Sequence, residues 1–283
     1  MHGKTSETDQ HGEHWHNIAR LWQQVGPPLR PSEEDISIVK KLLSDQPGLS
    51  STPRILILGV TPELYQFSIE VNADVLAIDH TQGMIDQVWP GPRDRIMCGE
   101  WNDIPLASGS RDIIFCDGGL HLLSNPQGQG ELVRSIHRVL TDDGLCIFRL
   151  FVPPASQETP EDVLSDLFAG NIPNMNILKL RLGMALQLNS TEGVQLAHVW
   201  NTLHKAAPDF ASLANSAGWS LDYLNTINTY RDSMSRYYFV TVDEVQQTFT
   251  QQRGGFTLES VITPAYQLGE RCPTVKFRRI MGS

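Results

Sequence analysis

Gly59 and Asp79, twenty positions apart, are the first residues in this chain whose types and spacing suggest chemistry. Gly59 ends the apolar run in LILGVTPEL (56–64), where a residue without Cβ lets the backbone approach a ligand closely. Thr61 can cap a helix that Pro62 begins, aiming a helix N-terminus at the same crevice. Asp79, at the end of the next apolar run, can accept hydrogen bonds from ribose hydroxyls. Taken alone, one glycine and one acid describe an ordinary strand-to-helix turn equally well. Two further segments add to them. CGEWNDIPL (98–106) groups Gly99, Glu100 and Trp101, a carboxylate that can accept from an exocyclic amine beside an apolar plate for a purine. CDGGLHLL (116–123) follows Asp117 with Gly118 and Gly119, which keep that loop low against a ligand.

All four segments sit at the ends of short apolar runs, and those runs must be strands. Strands are expected at 54–59, 74–79, 95–98, 112–117 and 145–152, with helices near 62–71, 84–88 and 130–140 between them. Continuous apolar runs such as ILIL and DIIF suit a parallel sheet covered on both faces, and the alternation predicts a doubly wound α/β domain. Ahead of it, Trp15, Ile18, Ala19 and Trp22 have helical spacing, GPPLRP ends that helix, and Ser32 with Asp35 starts another that runs to about Leu43. After Val152 the alternation stops. From Pro160 to Ser233 only helical patterns appear, opening on Thr159, Pro160 and Glu161. A helix capped by Thr241 and Glu244 and running to Gln252, then strands at 256–263 and 274–280, restore the α/β pattern. The expected division is an N-terminal helical cover at 1–50, a core at 51–155 and 237–283, and an inserted helical lid at 156–236.

Composition narrows the function classes. The 283 residues carry 22 Lys and Arg against 32 Asp and Glu, a net charge of −10, which disfavours nucleic-acid backbones and anionic membranes as partners. No apolar run reaches the length of a membrane helix and the opening MHGKTSETDQ has no signal-peptide pattern, so a cytoplasmic location is expected. Cys98, Cys116, Cys146 and Cys272 form no CxxC pair and are expected as buried reduced thiols. His11, His14 and His16 lie close together in a polar tract; no metal site is expected from them.

The order GVTPE, AIDHT, CGEWNDIPL, RDIIFCDGGLHLL and IHRVLTDDGLCIFRLF resembles the class I S-adenosylmethionine-dependent methyltransferases, over about residues 54–152 and again 236–280. The flanking WQQVGPPLRPSEEDI and YQLGERCP resemble a small-molecule-type subgroup of that family. The resemblance implies a Rossmann-like, mostly parallel seven-stranded sheet with the lid inserted after the fifth strand. It also implies S-adenosylmethionine as cofactor and S-adenosylhomocysteine as product. Residue by residue, it implies Gly59 for the methionine part, Asp79 for ribose, and Glu100 with Trp101 for adenine, with Thr61 and Gly99 as further cofactor-binding candidates on the same loops. Asp117 and Gly118 match the fourth-strand position beside the cofactor. The pattern departs from the family at Ile57, Thr61 and Glu63, where an acid and two glycines are usual; Glu63 is a candidate replacement for the missing carboxylate.

Methyl transfer to a small-molecule acceptor under the lid is the expectation that follows. Should the acceptor be protonated at neutral pH, His121 is the first candidate base. Arg149 can face the crevice and bind an acidic substrate, or pair with an acid of its own chain. Tyr237 and Tyr238 are candidates for the acceptor side. A catalytically degenerate cofactor-binding module is the alternative. A nicotinamide-dependent oxidoreductase would need a GxGxxG that GVTPEL lacks. The acceptor and the oligomeric state are left open.

Overall fold

The computed structural model describes residues 15–44, 46, 50–251 and 255–280; His11, His14 and the helix end expected at Gln252 lie outside them. The main sheet is built from β1 (Arg54–Leu58), β2 (Asp74–Asp79), β3 (Ile96–Cys98), β4 (Arg111–Asp117), β5 (Leu140–Arg149), β8 (Phe256–Ile262) and β9 (Thr274–Arg279). Its order is β3-β2-β1-β4-β5-β9-β8. The first five strands run parallel, with Ile57 beside Ala77 on one side and Phe115 on the other. β9 is antiparallel to both β5 and β8.

Period-two alternation inside the apolar runs splits the core in two. Leu56, Leu58, Ile114, Cys116, Cys146 and Phe148 face one side, packing on α5 (Gln127–Val139) and α11 (Val242–Gln251) through Leu132, Ile136, Val245 and Phe249. Ile55, Ile57, Ile113, Phe115, Leu145 and Ile147 face the other. There they meet α2 (Glu33–Ser44), α3 (Pro62–Glu70) and α4 (Gln82–Gln87) through Ile38, Leu64, Phe67 and Met84. Both faces being buried explains why ILIL reads as a continuous apolar run, each side chain contributing roughly 1.5–3 kcal/mol. The TDDG segment lies within β5 as an excursion. Leu140 pairs with Arg111, the register then shifts, and Leu145 pairs with Ile113, with Asp143 at φ 61°.

Between β5 and α11 lie α6 (Pro160–Phe168), α7 (Met175–Leu186), α8 (Leu196–Ala206), α9 (Phe210–Ala217) and α10 (Leu221–Asn225). α6 starts as read, with Thr159 and Asp162 capping each other's backbone groups and Pro160 in the first turn. This region also holds a ribbon, β6 (Val194–Gln195) against β7 (Arg236–Tyr237), which the all-helical expectation missed because two-residue strands carry no periodicity. The helices share a core of their own, continued by Phe151, Phe239 and Cys272. At the N-terminal side, residues 15–20 form α1. The Ser32–Asp35 box starts α2, with Ser32 N donating to Asp35 at 2.8 Å and Asp35 N to Ser32 Oγ at 3.2 Å. Thr61 stands at the N-cap of α3, but its side chain makes no capping bond; the start is set by Pro62. Three cysteines are buried as free thiols, while Cys98, at the end of an edge strand, is exposed. Among the described residues no helix is long and apolar enough to cross a membrane.

Candidate functional site

β1 and β4 are neighbours whose connections lead to opposite halves of the sheet, and a ligand crevice opens above such a pair at the strand ends. Here it is a cavity lined jointly by strand-end residues, the N-terminal segment and the helices between β5 and α11. Its floor is made by the residues that end the strands. Gly59 extends the ladder by donating to Ile78 O at 2.8 Å and then turns at φ 90°, a left-handed conformation that glycine adopts without strain. Asp79 is buried beside it, with Oδ2 accepting from Val60 N at 3.1 Å and Oδ1 from Thr81 N at 2.7 Å. Burial pushes its carboxyl up, against those hydrogen bonds. Trp101 is anchored by Nε1 donating to Ile78 O at 2.9 Å, and its ring lies so close that a Cβ on Gly59 would be 3.3 Å from it.

The end of β4 is fixed by charge. Asp117 accepts from Arg149 Nε at 2.5 Å and Nη2 at 2.9 Å, and both side chains are nearly fully buried. The remaining Arg149 nitrogen donates to Pro28 O at 2.6 Å and lies 4.0 Å from Asp35. Desolvation alone would lower the guanidinium's pKa; the Asp117 and Asp35 charges outweigh it and hold it up. Asp35 in turn accepts from Tyr266 Oη at 3.0 Å. The two flanking segments singled out in the sequence therefore meet at one buried network, which fastens the stretch before α2 over the strand ends. Next to it Gly118 sits at φ 54°, where a Cβ would meet the Phe151 ring at 2.6 Å.

Opposite the floor, the wall comes from the inserted helices and their return. The buried His121 ring stacks on Phe239 at 5.3 Å between centroids and meets the edge of Tyr237 at 4.5 Å. Tyr237 is hydrogen-bonded to Tyr230, whose hydroxyl burial pushes up to about 12. Lys179 projects from α7 with 4% of its surface exposed, donates to Thr226 Oγ1 at 2.8 Å and lies 5.6 Å from the Tyr230 ring centre. Burial lowers its ammonium to about 7. Trp15, Trp22, Leu29 and Arg30 close the cavity from the N-terminal side.

Of the residues singled out in the sequence, Gly59, Thr61, Asp79, Trp101, Asp117, Gly118, His121 and Tyr237 line this one cavity. Gly99, Glu100, Glu63, Arg149 and Tyr238 do not. Glu100 is exposed at the entry to a 3-10 turn that swings Trp101 inward in its place. Glu63 is taken by Arg30, which donates to it at 2.5 and 2.9 Å. Arg149 resolves in favour of its own acid. Tyr238 alternates away from Tyr237, and its backbone N–H donates to His121 O at 2.7 Å. Sequence reasoning missed Lys179, which stands in the apolar MNILKLRLGMAL beside Arg181 with nothing in the pattern to separate them. Among the described residues no three or more His, Cys, Asp and Glu side chains are grouped to hold a metal ion.

Residues 58–148 match the family model of a methyltransferase domain. No curated protein is significantly similar to the sequence. Among solved structures, a Rhodobacter sphaeroides protein provisionally called a zinc-dependent alcohol dehydrogenase superposes with a TM-score of 0.64 at 16% identity, covering 98% of this chain and 99% of its own. A Burkholderia thailandensis 1,6-didemethyltoxoflavin N1-methyltransferase, holding its substrate and S-adenosylhomocysteine, gives 0.53 at 12% identity over 99% and 93%. A Thermotoga maritima methyltransferase, provisionally a histamine N-methyltransferase, gives 0.50 at 12% over 94% and 99%. At these identities the superpositions speak to the fold alone, and the methyltransferase match lies in residues 58–148, which include Asp79, Trp101 and Asp117. Residues 58–148, 91 of the 283, thus carry a methyltransferase-domain pattern on a Rossmann-like core.

Proposed function

We propose that the protein methylates a small-molecule acceptor by in-line displacement in a covered site, with residues 1–50 as cover, 51–155 and 237–283 as core, and 156–236 as lid. The observation that carries this reading is a cavity walled by strand-end residues on one side and by inserted-helix residues on the other, including Lys179 and Tyr230. The closed apolar wall around His121 suits a small partner rather than a duplex or a polymer chain. The didemethyltoxoflavin enzyme, with its small heterocyclic substrate, supports the same class of acceptor.

The residues present fit the cofactor. Gly59 and Gly118 line the cavity and turn at positive φ, leaving their backbone bare of side chains there, with Trp101 and Phe151 packed close against them. Asp79 keeps acceptor capacity beyond Val60 and Thr81, since a carboxylate offers about four lone-pair positions. Asp79 would hold ribose, Trp101 the adenine, and the Gly59 and Gly118 turns the remainder. When bound, S-adenosylmethionine supplies an electrophilic methyl group on a sulfonium centre. The chain's own part is then alignment and exclusion of water. The tryptophan-bearing cover and the inserted helices exclude water, and His121 takes a proton from an acceptor that carries one.

Titration calorimetry with S-adenosylmethionine, S-adenosylhomocysteine and NADH tests this. Binding of the first two without the third is expected. No heat with either methionine derivative at millimolar concentration would refute the reading.

A further inference from the structure

Lys179 lines the cavity with no chemical role in the reading above. The other charged side chains along the cavity are committed within the protein: Arg30 to Glu63, Asp117 to Arg149, and Asp79 to the Val60 and Thr81 amides. Lys179 has no carboxylate within ion-pair distance among the described residues, and its hydrogen bond goes to a neutral hydroxyl. That hydroxyl is oriented. Thr226 Oγ1 donates its single proton to Tyr223 O at 2.8 Å, so toward Lys179 it can only accept. One N–H of the amine is used there, and the rest of the amine is left for the cavity that it lines.

A buried ammonium without a counter-charge is costly. An apolar side chain of the same length would fill the space in α7, whose neighbours Leu178 and Leu180 are buried in the apolar core of the inserted helices. Leu29, Leu122 and Phe151 line the same cavity, whose other charged side chains are the ones already partnered. Such an environment accepts an apolar body and offers one cation.

We infer that Lys179 is the counter-charge for the methyl acceptor, which is therefore a small acid: an apolar body bearing one anionic oxygen group, a carboxylate or an acidic hydroxyl. This rests on the methyltransferase reading and names its substrate class. The lowered Lys179 pKa agrees with it, because a partner anion is what would restore the charged form.

The test is titration calorimetry on the full chain, with and without saturating S-adenosylhomocysteine. The probes are benzoate and 2-naphthoate as carboxylates, 4-nitrophenolate as an acidic hydroxyl, and benzamide, 2-naphthamide and 4-nitroanisole as neutral counterparts. At least one acid is expected to bind about 10- to 100-fold more tightly than its neutral counterpart, as for a charge-assisted hydrogen bond. Lys179→Met should abolish that preference, leave S-adenosylhomocysteine affinity within about twofold, and keep or raise Tm. Lys179→Gln, which keeps a donor toward Thr226 without the charge, should lose the preference equally and serves if the methionine variant does not fold. Equal binding of acids and neutral counterparts, no acid binding up to about 10 mM, or a preference that survives both substitutions overturns the inference while leaving the cofactor reading intact. Acid binding that depends on Lys179 without any S-adenosylhomocysteine binding sinks the cofactor reading and keeps the anion site.

Discussion

The buried Asp117–Arg149 pair gives the sharpest stability prediction. Arg149→Met removes a guanidinium that is 3% exposed and leaves Asp117, 8% exposed, with no cation in contact. It strands Pro28 O as well, whose 2.6 Å donor is lost. Breaking a buried pair from one side costs about 3–5 kcal/mol, and an orphaned carbonyl adds about 1 kcal/mol or more. The expected loss is about 4–6 kcal/mol, a large share of the roughly 5–15 kcal/mol typical of a domain. Burial already pushes the Asp117 carboxyl up, and Arg149 opposes that push. Without Arg149 the folded-state pKa of Asp117 rises further above its unfolded value. A group raised in this way contributes stability below the unfolded value and loses it as pH climbs through the folded one. The deficit of the variant should therefore be larger at pH 8 than at about pH 5. Urea unfolding followed by tryptophan fluorescence at both pH values measures it. The double variant Asp117→Asn with Arg149→Met should recover part of the loss, closing a double-mutant cycle. A deficit below about 1 kcal/mol at both pH values would refute the argument that this pair is desolvated and structural.

Other expectations are smaller in scope. Asp79→Ala should weaken S-adenosylhomocysteine binding by about 1–3 kcal/mol, read by calorimetry, because ribose hydroxyls lose their acceptor; unchanged affinity in a folded variant removes Asp79 from the site. Gly118→Ala forces a side chain into φ 54° against Phe151 and should lower stability by about 1–3 kcal/mol in denaturant unfolding. His121→Ala should slow formation of S-adenosylhomocysteine with an acceptor that is protonated at neutral pH, while leaving cofactor affinity nearly intact; an unaffected rate with such an acceptor takes His121 out of the mechanism. Glu158 bridges Arg181 and Arg271, whose hydrogen bonds hold its carboxyl below the usual range although burial pushes it up. Glu158→Gln should destabilise at neutral pH, and the gap from wild type should close as pH falls below about 4.3 and through the lower folded value, as followed by thermal melting.

The strand ends were legible because each one breaks an apolar run with a residue type that has a job there: Gly59, Asp79, Asp117. The parallel sheet followed from ILIL and DIIF, since only burial on both faces calls for unbroken apolar runs. Glu100 and Trp101 show where local reading stops. Both are adjacent to the right turn, but which side chain points inward depends on the Ile78 carbonyl that anchors the indole. Arg149 could not be assigned from the sequence because its partners come from two distant segments, Pro28 and Asp35 from one and Asp117 from the other. Lys179 was invisible for a different reason. In a helix buried on nearly every side there is no polar face against which one lysine stands out.

The place of β9 has a consequence for how the chain is made. Leu145 of β5 finds its antiparallel partner in Arg278, beyond all of the inserted helices. Until Thr274–Arg279 has been synthesised, β5 presents an open edge of backbone donors and acceptors, flanked by Cys146 and Phe148, the kind of template on which nascent chains pair with one another. The inserted helices have a core of their own, so they can collapse during that interval. Yield in the cell should then depend on how quickly ribosomes traverse the stretch from the insertion to β9, and on chaperones that shield a strand edge rather than a greasy surface.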